Sequence, residues 1–147
     1  MSQRSTYSNP CFPDPVDTEM VYRGARNSSC FNKEDRTFTS ELFLRRANEQ
    51  TLSVFIASLC NIDHVNEHIK CKAIATITVG EIRDVGISGD HPLAVQCLDP
   101  DDESHAQIVG MPTTHPENPD ELVDPHDVAL ALFLAGELAD RCTWAWP

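Results

Sequence analysis

Residues 124–140, DPHDVALALFLAGELAD, narrow most what this chain can fold into. Asp124 can cap a helix, Pro125 suits its first position, and Asp127 falls at the positive end of the helix dipole. The apolar stretch 128–135 follows without a charge, so the helix is expected to reach about Asp140 and to be mostly buried. A buried helix needs something to lie against, and the segments before it read mainly as strands. MVYRGA (20–25), TLSVFIASL (51–59), KAIATITVGEI (72–82), PLAVQCL (92–98) and AQIVGM (106–111) are rich in β-branched residues or alternate. One short helix is expected in NIDHVNEHIK (61–70), where Ile62, Val65 and Ile69 are at helical spacing and Asn61 or Asp63 can cap. These elements predict an α+β fold, a small mixed or antiparallel sheet with a buried C-terminal helix.

A chain of 147 residues suits one domain, placed at 20–147, behind a flexible or loosely docked N-terminal arm over 1–19 rich in Ser, Pro and Asp. Polar loops are expected at NSSCFNKEDRT (27–37) and at the Pro-rich acidic run 112–127. The opening MSQRSTYSNPCFPDP has one arginine and no apolar core, so an export leader is not expected. The longest apolar run, 128–136, is less than half a membrane span. A cytoplasmic location follows, with Cys11, Cys30, Cys60, Cys71, Cys97 and Cys142 as free thiols.

The charge is unevenly divided. Residues 84–147 hold thirteen of the 23 acids and only Arg141 among the bases, so the whole formal charge of -12 falls there. Such a field repels nucleic-acid phosphate and anionic membrane, and it suits a basic protein surface.

CNIDHVNEHIKC (60–71) gathers two cysteines and two histidines. On one continuous helix Cys60, His64, His68 and Cys71 would share a face, yet the two cysteines would stand about 16 Å apart along the axis. Zinc ligands lie only about 2.0–2.3 Å from the ion, so no single ion gathers all four. A pair at most, His64 with His68 or His68 with Cys71, can act, with further ligands from elsewhere. His91, His105, His115 and His126 are available, and spacing selects none of them. Glu67 stands in the wrong place for an HExxH site, and the expectation is that no metal is bound. DPDDES (99–104) fails as a calcium loop because Ser104 and Gly110 stand where Gly and Glu are needed. Ser104 and His105 are neighbours on a strand and point apart, so they do not make a nucleophile–base pair.

VYRG (21–24) places Arg23 at a strand end beside Gly24, and FTS (38–40) follows. An arginine fork can clamp phosphate, and hydroxyls can hold ribose. This layout resembles the ADP-ribosyltransferase fold over about residues 20–85. The resemblance implies NAD as cofactor and Arg23, Ser40 and Glu81 as catalytic residues, with Glu81 polarising the ribose. It also implies cofactor contacts from Tyr22, Phe38, Thr39 and Phe43. Val79 stands where that family often has a second polar residue. The alternative is a noncatalytic acidic module that binds or inhibits a basic partner. His105, at a strand start, reads as a structural histidine ahead of an active-site one.

Overall fold

The computed structural model describes residues 13–45, 51–114 and 124–147. Among the described residues eight strands are formed: β1 (Met20–Ala25), β2 (Phe31–Asn32), β3 (Thr37–Phe38), β4 (Leu52–Ile56), β5 (Ala73–Thr78), β6 (Ala94–Asp99), β7 (Asp102–Val109) and β8 (Thr143–Trp146). Three α-helices accompany them, α1 (Ile62–His68), α2 (Val79–Ser88) and α3 (Pro125–Asp140). Six strands make one sheet in the order β6-β7-β4-β1-β5-β8, and every pairing in it is antiparallel. The fold is α+β with a C-terminal helix, followed by the edge strand β8.

Strand alternation sorts the sheet into two unequal faces. Val21 lies opposite Ile56 on β4 and Ile77 on β5, and Val54 lies opposite Ala106 on β7. These residues join Ile82 and Val85 of α2 and Leu134, Ala135 and Leu138 of α3 in the larger core. Each large aliphatic side chain fully buried there contributes about 1.5–3 kcal/mol, so this face carries most of the stability. The opposite face has a smaller cluster of Phe55, Ile74 and Val65, the last supplied by α1. Helix α3 shows only one face to the core. Leu132 and Phe133 remain 47% and 46% exposed, so the uninterrupted apolar run is not buried all round.

One expectation is corrected, and two further segments take on structure. The strand expected over 72–82 ends at Thr78, where the chain turns into α2. Thr78 accepts from the amide of Glu81, and the Glu81 carboxylate accepts from the amide of Thr78, a reciprocal cap that starts a helix. The segment after Phe38 forms a 3-10 turn, Ser40–Phe43, that buries Leu42 and Phe43. The terminal TWAW pairs with β5 as β8, because Trp144 stacks on Phe38 and Trp146 packs in the smaller cluster.

Of the arm expected over 1–19, residues 1–12 lie outside the described residues, as do His115 and the rest of 115–123. The nearer part of the arm is docked. The carbonyls of Glu19 and Asp17 accept from the amides of Val79 and Gly80, which satisfies donors that a helix start leaves open. Asp17 pairs with Arg83, Glu19 accepts from Ser58, and Asp14 accepts from the amide of Cys97.

Candidate metal centre

Helix α1 is short because its apolar content is short. Asn61 caps it by accepting from the amide of His64, and Val65 alone is fully buried within it. Val65 seats the helix on Phe55, which brings the next turn of side chains over the same ring. His64 meets Phe55 edge-on at 5.8 Å between ring centres, His68 lies tilted at 5.2 Å, and the two histidine rings are 4.6 Å apart. From the sheet, His105 on β7 is the direct cross-strand partner of Phe55 and stacks on it at 4.8 Å. Three imidazoles therefore surround one phenyl ring.

Asp102, at the start of β7, completes the group. Its Oδ2 lies 2.8 Å from Nε2 of His64 and 3.6 Å from Nε2 of His68. Among the described residues, His64, His68 and Asp102 offer ligand atoms that all fall within 4.8 Å of one another. Atoms bound to one tetrahedral ion stand about 3.4 Å apart when the bonds are about 2.1 Å, and the two separations to Asp102 bracket that spacing. The other carboxylate oxygen is held from behind. Ser104, 1% exposed, donates to Oδ1 of Asp102 from its hydroxyl at 2.6 Å and from its amide at 3.0 Å. A carboxylate fixed through one oxygen, with the other turned to the two imidazoles, is the usual support of a metal ligand.

The histidine hydrogen bonds set the electrostatics. Nδ1 of His68 lies 3.3 Å from the carbonyl oxygen of His64. A carbonyl only accepts, so Nδ1 donates at this contact and the ring's other nitrogen, Nε2, is the one turned toward Asp102. Nε2 of His68 and Oδ2 of Asp102 thus face each other as two potential ligand atoms, with room for a cation between them. Burial alone would push the Asp102 carboxyl up, but the Ser104 hydroxyl, the His64 ring and the Ser104 amide outweigh it and hold it at about 2. The carboxylate stays ionised across the range in which imidazole is neutral. Burial, and next the neighbouring His68, pull His105 below the ordinary imidazole value, against Asp102 and Asp99. Nδ1 of His105 is buried without a hydrogen bond, 3.8 Å from Oδ2 of Asp99. Side-chain exposures of 34% for His64, 39% for His68 and 18% for Asp102 leave the group open to solvent on one side.

The sequence cluster at 60–71 is thus divided. The helix unites His64 with His68, whereas the thiols of Cys60 and Cys71 each donate to main-chain carbonyls, of Ile56 and Ile69. Burial raises both thiols above the ordinary value. Asp102 is 38 residues from His64, and no spacing rule reaches it. In the turn before it, Asp99 accepts from the amide of Asp101.

The residues singled out by the transferase resemblance are placed as follows. Arg23 sits on β1 between Val21 and Ala25, and donates to the carbonyls of Leu42 and Ser53 at 3.0 and 2.8 Å. It opens on a cleft of about 320 Å³ that Arg26, Asn27 and Glu41 also line, and neither Ser40 nor Glu81 lines it. Ser40 begins the 3-10 turn, and the Glu81 carboxylate accepts from the amide and hydroxyl of Thr78. Thr39 donates to the carbonyl of Ser29, and Phe38 stacks on Trp144. Phe43 is fully buried in the larger core, while Tyr22 packs on the opposite face.

No helix among the described residues is long and apolar enough to cross a membrane. No protein-family model, curated protein or solved structure matches the chain.

Proposed function

We propose that this protein binds one divalent transition-metal ion through His64, His68 and Asp102. The observation that carries the reading is the orientation of His68, whose Nδ1 faces a carbonyl while Nε2 faces the Asp102 carboxylate at 3.6 Å. Two imidazoles and one carboxylate suit zinc or ferrous iron, and differ from the all-oxygen shells of calcium and magnesium. Three protein ligands on a solvent-facing site leave at least one position for an exogenous ligand, as in metal centres that act on bound molecules and unlike closed structural zinc sites. Ligation through Nε2 makes His64 give up its hydrogen bond to Asp102, and the neutral ring then carries its proton at Nδ1.

Calorimetric titration of the chelator-treated protein with zinc or cobalt tests this. One ion per chain is expected, with affinity at least about tenfold weaker in His64→Ala and in Asp102→Ala. Equal uptake by the three proteins, or none by the parent, overturns the reading.

Transfer of ADP-ribose from NAD is a second reading, supported by Arg23 and Arg26 at the cleft of about 320 Å³. That volume is at the small end for ligand pockets, enough for part of a dinucleotide. It predicts that millimolar NAD raises the melting temperature and that Arg23→Ala abolishes the rise; an unchanged melting temperature removes it.

A further inference from the structure

The charges around the three ligands bear on what completes the coordination, an inference that rests on the metal reading. A divalent ion beside ionised Asp102 keeps one net positive charge. Asp99, Asp101 and Glu103 surround Asp102 along the β6–β7 hairpin, and Asp63 and Glu67 flank the two histidines on α1. Asp99 reaches within 3.8 Å of His105, whose ring shares Phe55 with both ligand histidines. Over the segments 60–70 and 99–109 the only base is Lys70, beyond the end of α1. Asp99 is placed at the site by its pairing with Asp102, and four further carboxylates adjoin the ligand residues in sequence, a composition that favours cations and opposes a second anion. Asp101, Glu103, Asp63 and Glu67 are exposed, so salt weakens their effect, whereas Asp99 is partly buried and is screened less.

We propose that the open coordination position takes a neutral nitrogen donor of the imidazole class, in preference to phosphate or carboxylate. Asp99 is a specificity-determining residue in this scheme. It is the cross-strand partner of Asp102, is not among the three ligands, and acts through its charge. Binding at the ion is a ligand exchange: bound water leaves, the nitrogen lone pair enters, and no oxidant or further reactant is needed.

The test uses the full chain loaded with cobalt, whose visible absorption reports each exchange. Imidazole, azide and inorganic phosphate are titrated at low and high ionic strength, with the aqueous cobalt ion as reference. Relative to that reference, the protein is expected to favour imidazole over azide and over phosphate by at least about tenfold at low salt. The preference is expected to narrow at high salt and in Asp99→Asn, whose fold is checked by circular dichroism. A protein that takes up cobalt but binds azide or phosphate with the reference preference overturns this inference and leaves the metal reading intact. Failure to take up cobalt removes both. An unchanged preference in a folded Asp99→Asn overturns the role of Asp99.

Discussion

Nε2 of His64 lies 2.8 Å from Oδ2 of Asp102, joining the exposed face of a seven-residue helix to the start of a sheet strand. Helix α1 has little else to hold it beyond Val65 and the small cluster around Phe55. An ion shared by His64, His68 and Asp102, as proposed, would therefore clamp α1 to β7.

The clamp predicts that metal stabilises the fold. A ligand present at about 100 times its Kd adds about 2.7 kcal/mol to the folded state. For a chain of this length that corresponds to a rise in Tm of roughly 5–10 °C. Differential scanning fluorimetry with zinc should show the rise in the parent protein and lose it in His68→Ala. A rise of equal size in that variant would place the ion elsewhere.

Ser104 orients Asp102 without touching the ion. Ser104→Ala removes the 2.6 Å hydroxyl contact and frees the carboxylate to rotate. Zinc affinity is expected to fall by about 10–100-fold, the usual effect of losing such support. Ser104→Thr keeps a hydroxyl and should recover part of the loss. An affinity in Ser104→Ala equal to that of the parent would show that Asp102 is positioned by other means.

Acid should weaken the metal-free fold through Asp102. Its carboxyl is depressed from 3.8 to about 2, so the folded state favours the ionised form. The stability this contributes is present above the unfolded value and is lost as pH falls through the folded one. Denaturant midpoints of the parent and of Asp102→Asn should therefore converge between about pH 4 and pH 2. Curves that stay parallel across that window would contradict the assignment.

Two glycines give opposite tests of packing. A Cβ at Gly24 would overlap the Sγ of Cys71, a side-chain atom, whereas one at Gly86 would meet the amide nitrogen of Leu93 at 2.5 Å and the carbonyl of His91 at 2.9 Å. Each alanine variant should lose about 1–3 kcal/mol, with Gly86→Ala at the upper end. Cys71→Ala in the Gly24→Ala background should recover most of the loss, because the obstacle there is one removable atom. Equilibrium unfolding of the single and double variants decides this, and a double variant no more stable than Gly24→Ala would refute the proposed overlap.

Local chemistry alone set much of this molecule. Asp124 and Pro125 start α3, Asn61 starts α1, and the β-branched runs at 20–25, 52–56 and 73–78 become neighbouring strands, because caps and alternation act over a few residues. The helix α2 was also written locally, in the Thr78–Glu81 spacing, but the alternating residues before it masked the change of period. What tertiary structure alone decided is which distant side chains meet. Pairing β4 with β7 puts His105 opposite Phe55, and seating Val65 on Phe55 carries His64 and His68 to Asp102. Register and docking across 38 residues depend on the whole core being assembled at once, so the carboxylate that completes the site has no signature in the stretch that holds its histidines.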